Sequence, residues 1–257
     1  MRSPDLKARQ EVMFIHLLHL GRVPYAEALA IQQKVIAARK AGTIGDTLLM
    51  LEHPPVLTLG RKAHRGNILA SDELLARKGV EIHEVNRGGD VTYHGPGQLI
   101  GYPIVDLRGD LPGKIGPHLG PVDFVRMLEE SLIRTCGEFG VMARRICTLT
   151  GVWTLAGGSI PEKKIAAIGV HVSQGVTSHG FALNVTTDLR DFEWIVPCGI
   201  TDRTVTSLEL EADPTRLAVT MENALNAAAR NFGRVFERQI LWCNSLEELL
   251  ASPVSTG

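Results

Sequence analysis

The 257-residue chain carries 27 Lys and Arg against 28 Asp and Glu, a net charge of −1, and 44% of its residues are hydrophobic. That hydrophobic share excludes general disorder, and the charge balance gives no global excess for binding nucleic acid. No run approaches the ~18 apolar residues of a membrane span, so a cytoplasmic protein with neither nucleic acid nor membrane as partner is expected.

In chain order, residues 1–12 read as a loose leader. Residues 24–40 read as a helix with Pro24 in its first turn and Gly42 past its end. Tyr25, Ala28, Leu29, Gln32, Val35 and Ile36 line its inner face. The runs 47–51 and 56–59 read as buried strands, with Pro54 and Pro55 between them. Ser71 caps a short helix that stops near Gly79, and 80–85 is a strand. A long helix is predicted over about 122–139, strands over 152–155, 165–172 and 181–185, and a third helix over about 216–232. The capping box from Ser245 to Glu248 opens a last short helix, and 252–257 reads as a frayed tail. Strands outnumber helices and cluster mid-chain, which predicts an α+β fold with a mixed or antiparallel sheet in one domain.

Three segments carry unusual chemistry. The first is Arg87, Gly88, Gly89, Asp90, Val91, Thr92, Tyr93, His94, Gly95, Pro96, Gly97 and Gln98. Its glycines allow close backbone approach to a ligand, but they equally suit a structural hairpin loop. Their spacing matches neither a dinucleotide fingerprint nor a phosphate loop. The second begins at Lys163 and Lys164 and continues through Ala166, Ala167, Ile168 and Gly169, followed by Gly180, Phe181 and Ala182. Small side chains on facing strands leave either an apolar slot or simply close packing. The third is Pro197, Cys198 and Gly199, which place a thiol on a turn. Cys136, Cys147 and Cys243 read as inert residues in or beside apolar elements, so Cys198 is the candidate nucleophile. It needs a cationic neighbour, for which Lys164, His94 and His179 are available. The four cysteines form no C-x-x-C pair, and no metal site is expected.

Together these segments resemble the octanoyltransferases of lipoate biosynthesis. The resemblance rests on LEHPPVLTLGRKA (51–63), RGGDVTYHGPGQLIGYPI (87–104), KIAAIGVHV (164–172), the stretch 177–185, and VPCGI followed by Thr206, Ser207 and Leu208. It implies the biotin and lipoate protein ligase fold: a central mixed sheet, a smaller sheet and flanking helices. The implied catalytic domain spans 14–240, with 1–13 and 241–257 as terminal extensions. The implied reaction moves an octanoyl group from octanoyl-acyl carrier protein to a lysine of lipoyl domains or of the glycine cleavage H protein. It runs through a thioester on Cys198 and opens endogenous protein lipoylation. The register of the I-A-A-I-G stretch selects Lys164 over Lys163 as partner of Cys198. Substrate-lining residues map to Arg87, Gly88, Gly89, Asp90, Val91, Thr92, Tyr93 and His94, to Ala167, Ile168 and Gly169, and to Gly180, Phe181 and Ala182. No cofactor is implied, since thioester chemistry needs no ATP. His171 and Gly175 depart from the residues usual in relatives, Arg and a bulky side chain. The rival readings are an ATP-dependent ligase on the same fold, a Cys-His thioesterase, and a non-enzymatic module that binds acyl carrier or lipoyl domains.

Overall fold

The structure is a computed structural model that describes residues 13–155, 161–196 and 204–252. Eleven strands are present among these residues. They are β1 (Phe14–Arg22), β2 (Thr47–Glu52), β3 (Val56–Leu59), β4 (Glu81–Glu84), β5 (Val91–His94), β6 (Gln98–Ile104), β7 (Ala143–Ile146), β8 (Leu149–Thr154), β9 (Lys164–Ser173), β10 (Val176–Asn184) and β11 (Gln239–Cys243). The helices are α1 (Tyr25–Lys40), α2 (Asp72–Arg77), α3 (Pro121–Glu138), α4 (Leu208–Glu211), α5 (Met221–Phe236) and α6 (Leu246–Ala251). Eight strands form one mixed sheet in the order β11-β1-β2-β6-β10-β9-β8-β7, and β4-β3-β5 form a smaller one. The class is α+β, as the strand-rich middle of the sequence predicts.

The main sheet is covered on both faces, and this explains its apolar runs. In β2, Leu48 and Met50 join a core with Phe124, Leu128 and Leu132 of α3 and Leu225 and Phe232 of α5. Leu49 and Leu51 point the other way, onto Ala28 and Val35 of α1. A strand buried on both sides loses the polar half of its alternation and reads as a continuous apolar stretch. A third cluster lies under the small sheet, where Leu57, Val91 and Tyr93 meet Leu75 of α2.

Several expectations are corrected. Strand β1 has no counterpart in the sequence reading, because His16 and His19 interrupt its apolar run. Helix α5 starts at Met221, not near 216. The Thr220 side chain accepts from the Asn223 N–H and sets the start. It also runs past 232 to Phe236, whose ring stacks on Phe232 at 4.0 Å between centroids. Strand β11 straddles residue 240, the expected domain edge, and pairs in parallel with β1. Cys147 is exposed, whereas Cys136 and Cys243 are buried as expected. No helix among the described residues is long and apolar enough to cross a membrane, and no metal-binding cluster of His, Cys, Asp or Glu occurs among them.

Candidate active site

A cavity of about 220 Å³ opens where β5, β6, β9 and β10 converge, closed at one side by Tyr25 of α1 and at another by residues 148–150 of the β7–β8 hairpin. Strand β5 enters with its side chains alternating. Thr92 and His94 line the cavity, whereas Val91 and Tyr93 face the third core cluster. The Tyr93 hydroxyl donates to Asp191 Oδ2 at 2.5 Å, on that far side. Asp90 likewise faces away, accepting from the Asn67 side chain and from the backbone N–H groups of His64 and Val91. Asp90, Val91 and Tyr93 therefore do not reach the cavity, although the sequence reading includes them among substrate-lining residues. Arg87, Gly88, Gly89, Ala167, Ile168, Gly169, Gly180, Phe181 and Ala182 do line it.

The small residues have a second use. Gly88 donates its N–H to Val170 O at 3.0 Å, which lays the 87–89 loop directly on β9. A Cβ at Gly169 would stand 2.8 Å from Gly88 O, so only glycine permits this approach. The Arg87 guanidinium is buried and donates to Thr58 O, to Thr58 Oγ1 and to Gly88 O. It fixes a positive charge on the cavity wall.

His94 and His179 feel that charge, and His53 lies against His94. His53 Nδ1 donates to Val23 O at 2.8 Å, so its Nε2 is the acceptor for the Tyr102 hydroxyl at 2.7 Å. His94 Nδ1 bonds Gln98 Oε1 at 2.8 Å. His179 Nε2 bonds Asn86 Oδ1 at 2.7 Å. His179 also has a left-handed backbone, with φ of 55°. The buried Gln32 side chain of α1 holds the His179 N–H at 2.6 Å. Strain of this kind persists where surrounding contacts over-determine it, commonly at functional sites.

Burial pushes His53 down to about 4, assisted by His83. It pushes His94 to about 3, assisted by His53 and Arg87. It pushes His179 to about 4, assisted by Arg87 and His171. The unfolded chain binds protons at these histidines near pH 6.5, and the folded chain refuses them until pH 4 or below. Their contribution to stability is therefore complete above pH 6.5 and declines on acidification toward pH 4, by about 1.4 kcal/mol per pH unit for each histidine. Unfolding at pH 5 should accordingly take up roughly three protons from this cluster. Calorimetry in buffers of different ionisation enthalpy measures the uptake; a value near zero would contradict the neutral cluster.

Lys164 opens β9 at the cavity, 8% exposed, with Nζ 4.8 Å from the centroid of the Trp153 ring. Its backbone is clasped on both sides of one residue: its N–H donates to Thr204 O and its carbonyl accepts from Thr206 N, each at 2.9 Å. Lys163, the neighbour on the opposite face, ion-pairs with Glu211 at 3.0 Å. The geometry thus separates the two lysines, one in the cavity and one outside it. Cys198 lies outside the described residues. Its flanks are anchored, since Val196 N donates to Asn67 O at 2.7 Å and Thr204 O accepts from Lys164.

The sequence model of the lipoyl protein ligase A/B catalytic domain matches residues 24–233. A curated octanoyltransferase of Acidobacterium capsulatum is 64% identical over 240 residues, covering 93% of this chain and 96% of that protein. One from Koribacter versatilis is 52% identical over 239 residues, covering 93% and 91%. The chain belongs to the octanoyltransferase family. As an octanoyltransferase-family protein it is an acyltransferase. Its fold is shared with a bipartite lipoate protein ligase of Thermoplasma acidophilum, at a TM-score of 0.68 and 19% identity over 93% of this chain and 91% of that one. An ATP-bound lipoate-protein ligase A superposes at a TM-score of 0.67 with 19% identity, covering 93% of each.

The octanoyltransferase cavity also contains residues that the sequence pattern does not single out. Tyr25 reads as a core position of α1, and it is buried, yet it lines the cavity. Tyr102 and residues 148–150 line it too. Behind them, fully buried His53 holds Tyr102. Its one sequence signal is a histidine between an apolar strand and two prolines.

Proposed function

We propose that the protein transfers an octanoyl group from octanoyl-acyl carrier protein to a lysine of a lipoyl domain, including that of the glycine cleavage H protein, through a thioester on Cys198. The observation that carries this reading is the buried amine of Lys164 at the cavity, on a strand whose backbone clasps the chain as it leaves the segment 197–203. That segment contains Cys198.

An ammonium on Lys164 favours the thiolate form of a nearby cysteine, which is the reactive nucleophile. The Cys198 sulfur attacks the donor thioester carbonyl. A new C–S bond forms, the old one breaks, and the carrier's thiol leaves with a proton from Lys164. Thioester replaces thioester, so no activation by ATP is required. In the second half, the neutral amine of the acceptor lysine attacks the acyl-enzyme. The C–N bond forms, Cys198 leaves as thiolate, and the surplus amine proton passes to the Lys164 amine. Ala167, Ile168, Phe181 and Ala182 supply apolar wall for the octanoyl chain, whose burial contributes about 0.8 kcal/mol per methylene.

The test is intact-protein mass spectrometry after mixing with octanoyl-acyl carrier protein without ATP, followed by peptide mapping. One octanoyl group on Cys198 is expected, discharged on adding a lipoyl domain, and absent from Cys198→Ala. Charging that appears only with ATP would assign the ligase reaction instead. Release of free octanoate at the transfer rate without an acceptor would assign a thioesterase.

A further inference from the structure

We infer that His94 is the hydrogen-bond acceptor that receives and orients the amine of the incoming lysine. Thr206 O can only accept, so the Asn184 side chain presents its NH₂ group to it, at 2.8 Å. Asn184 Oδ1 then faces Gln98, which must present its own NH₂ group, at 2.9 Å. That leaves Gln98 Oε1 for His94 Nδ1, at 2.8 Å. The ring proton therefore sits on Nδ1, and Nε2 is bare. Every link is buried: Gln98 is 2% exposed, Asn184 4% and His94 8%. His94 lines the cavity, and its ring bonds Gln98 through Nδ1 among the described residues. Outer hydrogen bonds that fix a histidine tautomer are how such sites define which nitrogen faces the ligand.

The chain of bonds starts beside Lys164. Thr206 donates its N–H to Lys164 O, and Gln98, Asn184 and Lys164 border one small void next to the main cavity. His94 and Lys164 both line the main cavity. Burial and the neighbouring positive charge keep His94 neutral throughout the physiological range, so it does not carry the proton away. It accepts a hydrogen bond and nothing more.

A primary amine suits such a group. It has two N–H bonds and one lone pair, and holding one N–H aims the lone pair at the thioester carbonyl. The C–N bond forms, the C–S electron pair goes to the Cys198 sulfur, and the surplus proton goes to Lys164. A carboxylate, which brings no proton, would meet the Nε2 lone pair and be disfavoured. This assignment of His94 rests on the acyl-enzyme reading for its chemical step, but the tautomer and the amine contact do not.

Two measurements test it. The first uses full-length protein labelled with ¹⁵N-histidine, with His94→Gln to assign the signal. A bare-nitrogen Nε2 signal is expected at pH 7, and it should move on adding a lipoyl domain but not the same domain with its acceptor lysine changed to methionine. A protonated Nε2, or no lysine-dependent movement, would overturn the inference. The second uses octanoyl-enzyme formed in advance. His94→Leu should slow discharge to the lipoyl domain about 10- to 100-fold more than it slows acylation, and His94→Gln, which keeps an acceptor, should recover most of that loss. Equal slowing of both halves would reduce His94 to a structural residue. Failure of the wild-type protein to carry octanoyl on Cys198 would defeat the acyl-enzyme reading alone, because the spectroscopic result stands without it.

Discussion

Replacing Lys164 by methionine should lower octanoyl transfer by about three orders of magnitude, whereas the same change at Lys163 should alter it less than about twofold. The two residues are adjacent in sequence, but their side chains have different surroundings. Lys164 is 8% exposed, sits over Trp153 and borders the cavity. Lys163 points to the other face and pairs with Glu211, with a third of its side chain in solvent. Methionine keeps the length and apolar stem of lysine, so the fold should survive and the loss should report the amine. Arginine at 164 should not rescue, since a guanidinium cannot give up its proton at any working pH. Single-turnover transfer from octanoyl-acyl carrier protein to a lipoyl domain measures all three variants. Damage from Lys163→Met comparable to that from Lys164→Met would reverse the assignment.

Gly180→Ala should cost about 3 kcal/mol or more, the upper range for overpacking a tight core. Its Cβ would lie 2.1 Å from Gly101 O and 2.5 Å from Pro103 Cδ, both on the adjacent strand β6. Neither neighbour is the end of a flexible side chain, so β10 would have to lift away from β6. For a chain of this size each kcal/mol lowers the melting temperature by roughly 2–4 °C. Gly137→Ala is the matching control. That glycine lies within α3 with nothing within 4 Å of its added Cβ, and the substitution should stabilise by up to about 1 kcal/mol through helix propensity. Thermal unfolding of both variants decides the point; a Gly180→Ala protein that melts like the wild type would refute this account of the glycine.

How much of this was legible in the sequence depended on what each residue had to reveal by itself. The doubly buried β2 shows as an uninterrupted apolar run, and α3 shows as a periodic stripe from Phe124 to Phe139. Strand β1 hides because two histidines break its run. A two-residue period applied to 91–94 would have separated Thr92 and His94 from Val91 and Tyr93, although it could not say which pair meets the cavity. The same ambiguity of phase attends Lys163 and Lys164, which local pattern leaves open and strand pairing resolves. Tyr25 and His53 were beyond reach for another reason. Each is buried like a core residue, and only the distant partners, His94 and Tyr102, make them part of a site.

The order of strands in the main sheet has a consequence for how the chain is made. Strands β1, β2 and β6 come from the first 104 residues, while β10, the neighbour that completes the β6 edge, begins at Val176. During synthesis β6 therefore waits, with an unpaired backbone edge and with Ile100 short of its later partner Ala182, until some seventy further residues have left the ribosome. An open apolar edge of this kind invites pairing with the wrong chain. The cavity has no existence in either part of the polypeptide before that seam closes, so the nascent protein carries this open edge before it has anything with which to bind a substrate.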